Sequence, residues 1–176
     1  MAKRDFGEPR ATATGVDVPS VDEARTVRYR KLAMPIRRSA TNSAVMPQTE
    51  VRVFRPSPKT VPLLEWLDEL STRQPKAYFK CLARILALAE LGHELRRPAA
   101  DLLTDGIYEL RVRHANINYR MLYFFCGSHV ACLSHGLAKG SAVPPAEIVL
   151  AAERKRLVAT SMTRYTADFE EDHEQD

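Results

Sequence analysis

The 176-residue chain has room for one ordinary domain with tails, and its 45% hydrophobic and 27% charged content is that of a globular protein, not a disordered one. No run approaches the roughly 18–20 apolar residues of a membrane-spanning helix, and the start MAKRDFGEPR lacks the apolar stretch of a secretory signal, so a cytoplasmic protein with no membrane contact is expected. The net charge of +4 conceals a segregated pattern: residues 50–160 hold 16 Lys/Arg against 11 Asp/Glu, while residues 161–176 hold one Arg against six acids. A basic middle segment favours phosphate backbones through counterion release.

Residues 1–49 combine proline, Ser/Thr/Ala clusters and basic residues without sustained apolar periodicity, as in a weakly structured extension; a short helix over Val21–Leu32 is the exception. A domain is expected over 50–158. Val51-Arg52-Val53-Phe54 alternates as a strand closed by Pro56 and Pro58. Thr60 is then placed to cap a helix starting near Val61-Pro62, with Leu63, Leu64, Leu67 and Leu70 on its apolar face. A second helix runs from Gln74–Pro75 to Leu91 and ends at Gly92, with Tyr78, Cys81, Leu82, Ile85, Leu88 and Ala89 at helical spacing.

HELRRPAADLLTDG reads as a loop, followed by three strand-like runs, Ile107–Arg113, Asn118–Phe125 and His129–Leu137, joined by hairpin turns. Pro144-Pro145 opens a last helix to about Val158, with Ile148, Val149, Ala152 and Leu157 packing on the sheet and Arg154, Lys155 and Arg156 outward. Residues 159–176 read as an acidic tail. Cys81, Cys126 and Cys132 are odd in number and lack C-x-x-C spacing, so they read as small hydrophobes; neither a metal nor a cofactor is expected. The predicted fold is α+β in the order β-α-α-β-β-β-α, an antiparallel twisted sheet packed on a helical hairpin plus a C-terminal helix.

Strand alternation separates Tyr108, Leu110 and Val112 from Glu109, Arg111 and Arg113, and predicts a basic face turned away from the core. Arg120 shares parity with Leu122 and Phe124, so its charge has apolar neighbours on its own side. An ion pair with Glu109 is the plain structural explanation. Arg120→Ala is expected to leave the protein folded, since a solvent-facing strand residue rarely contributes more than about 1–2 kcal/mol.

Gly106-Ile107-Tyr108-Glu109-Leu110-Arg111, then Tyr119-Arg120, then His135-Gly136-Leu137-Ala138-Lys139 with Pro144, resemble in order and spacing the RelE/ParE toxin superfamily, in particular its phage-derived HigB-like branch. The resemblance spans about 105 residues. It implies a RelE-like twisted sheet with helices on one face and a concave basic surface, in the toxin of a type II toxin–antitoxin system that cuts ribosome-bound messenger RNA. The implied partners are the ribosome, its message and a cognate antitoxin, in this branch a helix-turn-helix DNA-binding protein. The chain departs from many relatives in carrying Gly140, Ala142 and Val143 where basic residues are frequent, and Asp101 where a lysine is common.

A metal-independent ribonuclease must activate a ribose 2′-hydroxyl, stabilise charge on the phosphoryl oxygens and let the 5′-oxygen leave. Guanidinium forks suit the second task, so Arg120 and Arg111 are the first candidates, with Lys139 just past the last strand. His135, near a strand end, and His114, in a loop, are the residues whose ordinary pKa suits proton transfer near neutrality. Arg113 can touch the RNA backbone, and Tyr108 and Tyr119 can stack on bases, although strand aromatics are more often core. Two alternatives stay open: a ParE-like gyrase poison, and a non-catalytic RNA-binding or regulatory module of the same fold.

Overall fold

A computed structural model describes residues 49–139 and 142–169, with Lys139 described through its backbone only. The expected helix at Val21–Leu32 lies outside the described residues. The chain is an α+β domain. Strand β1 (Glu50–Phe54) leads to helix α1 (Pro62–Arg73) and helix α2 (Pro75–Leu91), each with a proline in its first turn where the missing N–H is not needed. Thr60, expected to cap α1, instead accepts a hydrogen bond from Ser57 Oγ at 3.0 Å. Val61 occupies the cap position and its N–H donates to Glu65 Oε1 at 3.3 Å, so Thr60 lies one residue too early to cap. Leu63, Leu64, Leu67 and Leu70 on α1, and Tyr78, Cys81, Leu82, Ile85 and Leu88 on α2, are buried as their spacing predicts.

After α2 the stretch read as a loop contains strand β2 (Ala100–Thr104), joined to β3 (Ile107–His114) through Asp105 and Gly106, both at positive φ. Asp-Gly flanked by apolar residues is a strong two-residue hairpin signal, and here it identifies the strand that the loop reading omits. β3 turns into β4 (Ile117–Phe125) through Ala115 and Asn116, also at positive φ, and β4 into β5 (Val130–Lys139). The C-terminal helix α3 (Pro145–Thr160) is followed by the single turn α4 (Met162–Tyr165) and strand β6 (Thr166–Asp168).

The six strands lie in the order β2-β3-β4-β5-β1-β6. The sheet is mixed, not wholly antiparallel: β2 to β5 form an antiparallel meander, whereas β1 runs parallel to β5 and pairs antiparallel with β6. The helical hairpin covers one face, with Trp66 of α1 lying across Gly136 and facing Tyr119 at a ring distance of 6.5 Å. The opposite face carries Phe54, Ile107, Leu122, Phe124, Cys132 and Leu137, which form a core with Val143, Ala151 and Val158 on and before α3. Helices therefore cover both faces, where the family resemblance implied one. Each fully buried aliphatic side chain in these layers contributes about 1.5–3 kcal/mol.

The inward stripe of α3 differs from the expected one. Glu147, Ile148, Ala151, Arg154, Lys155 and Val158 recur at intervals of three and four, and Ala151 lets the helix approach the sheet. Val149 and Leu157 are exposed instead of packed. Arg154 turns inward, donating to Ser134 O at 2.9 Å and lying 5.0 Å from the centre of the Phe54 ring. Lys155 donates to Asp105 O at 2.9 Å and so ties α3 to the β2–β3 turn. Among the described residues, no helix is long and apolar enough to cross a membrane.

Candidate nucleic-acid interface

The α3-side face of the sheet brings four charged residues into a square. Arg111 on β3 lies directly opposite Arg120 on β4, and Asp101 on β2 directly opposite Glu109 on β3. Two like charges face to face on a ladder repel, so each pair needs the other. Glu109 supplies the link: its Oε1 accepts from Arg111 Nε at 2.6 Å, and its Oε2 accepts from Arg120 Nη1. The Glu109 side chain is 0% exposed, Arg120 12% and Arg111 37%, so the square opens toward solvent along Arg111. The face expected to look wholly into solvent is thus buried at Glu109, because Ile107, of the same parity, enters the core beneath α3.

Asp101 extends the network to the sheet edge. Its Oδ1 and Oδ2 accept from Arg97 Nε and Nη2 at 2.9 and 2.6 Å, and Oδ2 lies 3.6 Å from Arg111 Nη2. Hydrogen bonding from Arg97 holds the Asp101 carboxyl below the usual carboxylate range despite a smaller opposing effect of burial. The carboxylate is therefore charged at neutral pH.

His135 sits on the same face, opposite Leu122 and diagonal to Arg120, whose own β5 partner is Leu137. A bulge at Ser134 turns both Ser134 and His135 toward α3. Ser134 Oγ lies 2.8 Å from His135 Nδ1, and Glu147 Oε2, in the first turn of α3, lies 3.1 Å from His135 Nε2. Burial first, and then the Arg154 charge, push the His135 pKa down to about 4, against the opposing pull of Glu147. The ring is neutral at pH 7.

The structure therefore places Arg111, Arg120 and His135 on one face of the sheet, with Glu109 joining the two arginines and the His135 ring turned to Ser134 and Glu147. Lys139 has its backbone at the end of β5, paired with Asn118 and two residues past Leu137; its side chain lies outside the described residues. Arg113 is exposed farther along β3, and His114 is half-buried at the end of that strand. Tyr108 and Tyr119 are on the hairpin side instead: Tyr108 stacks on Tyr123 at 5.3 Å, and Tyr119 is buried beside Trp66. Sequence reasoning did not single out Asp101, Arg97, Glu147 or Arg154 for this site. Glu109 is the acid that the sequence offers as the ion-pair partner of Arg120, and the structure contains that pair; its burial follows from its alternation with Ile107. For the others the contacts depend on β2 and on the rotation of α3. Among the described residues no group of three or more His, Cys, Asp or Glu is placed to hold a metal ion.

A mixed sheet with a helical hairpin on one face and a C-terminal helix on the other makes this an α+β domain. Residues 65–156 match the family described as phage derived protein Gp49-like (DUF891), which has the RelE/ParE-like toxin fold, and the chain belongs to that family. No curated protein matches the chain.

Proposed function

We propose that this chain is the toxin of a type II toxin–antitoxin system of the HigB-like branch, acting as a metal-independent endoribonuclease on ribosome-bound messenger RNA. The observation that carries the reading is the Arg111–Glu109–Arg120 bridge. A buried ion pair is weak support for stability, because well-packed apolar side chains do as well in its place; here one buried carboxylate instead orients two guanidiniums side by side, and the part-exposed Arg111 has only the looser contact with Asp101, at 3.6 Å, on its outer side. A planar donor fork of that kind fits phosphodiester oxygens.

In this reading the 2′-oxygen attacks phosphorus, its proton goes to a base, and the 5′-oxygen leaves with a proton from solvent, giving a 2′,3′-cyclic phosphate and a 5′-hydroxyl. Arg111 and Arg120 balance the charge gathering on the phosphoryl oxygens, with Lys139 as a third cation. His135 is in the neutral form that a base requires. The partners proposed are the ribosome with its message and a helix-turn-helix antitoxin. A second reading, a non-catalytic RNA-binding or regulatory module, is favoured by a specific observation: His135 is buried and both of its ring nitrogens are engaged.

Mapping message 5′ ends after brief induction tests the proposal, with Arg111→Ala as the control. Ribosome-phased cuts that disappear in the variant are expected. Stalled gyrase–DNA complexes would point to a gyrase poison, and RNA binding without cuts to the non-catalytic module; either result overturns the nuclease.

A further inference from the structure

The arginine row does not end at Arg111, and its outermost members are already occupied by an anion from the chain itself. Exposure rises along the row: Glu109 is fully enclosed, Asp101 is 16% exposed and Arg97 73% exposed. Glu109 is enclosed beneath the arginines that it binds. Asp101, by contrast, lies on strand β2, at one edge of the sheet. Its contact with Arg111 Nη2 at 3.6 Å is an ion pair beyond hydrogen-bond reach, and its close bonds go to an exposed arginine. The Arg97 contact is bidentate, but this cation stands in solvent, where screening and side-chain entropy weaken its hold on the carboxylate relative to the enclosed Glu109 bridge.

We propose that Asp101 is a displaceable counter-ion: an incoming RNA phosphodiester takes its place between Arg97 and Arg111, so that Arg97 becomes a phosphate ligand and Asp101 sets how tightly the face holds RNA. The carboxylate and the phosphodiester each carry one negative charge and present two oxygens to a guanidinium fork. The exchange keeps both arginines paired while releasing counterions from the RNA. The distances add a geometric reason for exchange. Arg97 uses Nε and Nη2 on Asp101, whereas Arg111 uses Nε on Glu109 and turns Nη2 toward Asp101. A ligand oxygen seated at the Asp101 position meets the Arg97 donors at hydrogen-bond distance and lies within ion-pair range of Arg111 Nη2. Glu109 stays as the permanent anchor that keeps Arg111 and Arg120 from repelling each other.

This inference deepens the RNA-directed reading and rests on it. The test is the affinity of the full chain for a fluorescein-labelled single-stranded RNA oligonucleotide, measured by anisotropy at low and at moderate salt, for the unaltered protein, Asp101→Asn, Arg97→Ala, the double variant and Arg111→Ala. Asp101→Asn is expected to bind about 3- to 10-fold more tightly at low salt, with a steeper salt dependence, and adding Arg97→Ala is expected to cancel the gain. If Asp101→Asn does not fold, Asp101→Thr, which suits an edge strand, gives the same readout. RNA binding that depends on Arg111 but is unchanged or weakened by Asp101→Asn overturns the counter-ion role and leaves the functional reading standing. Failure of every form to bind RNA, or binding indifferent to Arg111, overturns that reading and this inference with it.

Discussion

Glu109 on β3 accepts a hydrogen bond from Arg120 on β4 while lying entirely beneath solvent reach. That relationship changes what a substitution at Arg120 measures. Removing Arg120 takes one of two cations from a fully buried carboxylate and leaves Glu109 Oε2 without that donor while Arg111 stays on Oε1, so Arg120→Ala is expected to cost about 2–3 kcal/mol, more than the solvent-facing strand residue expected from sequence. Glu109→Gln removes the carboxylate that both facing guanidiniums share and is expected to destabilise as well. The combination Glu109→Gln/Arg120→Ala is expected to cost clearly less than the sum of the single changes. Urea unfolding of the four proteins checks this, and strict additivity would contradict the bridge. Arg111→Ala, at a more exposed position, is the cleaner probe of function.

The buried His135 makes stability depend on pH in a definite direction. Its folded pKa of about 4 lies below the ordinary value of 6.5, so the unfolded chain binds the proton more readily between those values. The stabilisation from keeping the ring neutral is complete above pH 6.5 and is lost as pH falls toward 4, by up to about 3 kcal/mol at roughly 1.4 kcal/mol per pKa unit. Replacing the ring by an uncharged amide, His135→Gln, is expected to flatten that slope. Unfolding midpoints at pH 7 and pH 5 for both proteins decide it; an equal drop in the two would contradict the assignment.

Gly136 is held by its neighbour, not by its backbone. A Cβ added there would lie 2.1 Å from Trp66 Cε3, in the middle of the α1–sheet contact. Gly136→Ala is expected to lower stability by about 1–3 kcal/mol through overpacking. In a Trp66→Leu background the same change is expected to cost markedly less. Thermal unfolding of the single and double variants gives the comparison, and an equal cost in both backgrounds would rule out the ring as the cause.

Much of the fold is visible in local pattern. Leucines at helical spacing in α1, the periodic face of α2 with Gly92 closing it, and the β3–β4–β5 hairpins all follow from rules acting over a few residues. Strand β2 was also within reach through Asp105-Gly106, but AADLLT carries two charged or polar breaks and a preceding proline that favour a loop reading. β6 is three residues long and exists through its pairing with β1, a partner more than 100 positions away, which no local pattern reports. The side-chain faces of α3 differ from those expected for a related reason. Its sheet-facing stripe includes Glu147, Arg154 and Lys155, each paid for by a partner on another element.

For the candidate site, the sequence names Arg111, Arg120 and His135 as candidates and puts both arginines on neighbouring strands, because alternation and hairpin register are short-range consequences of backbone geometry. The tertiary structure decided which charges meet. The anchoring of two arginines on Glu109, the link from Asp101 to Arg97, and the neutral state of His135 arise only when β2 and α3 are set against the sheet. Charge pairing and desolvation act through space over a few ångströms, and separation along the chain does not determine that distance.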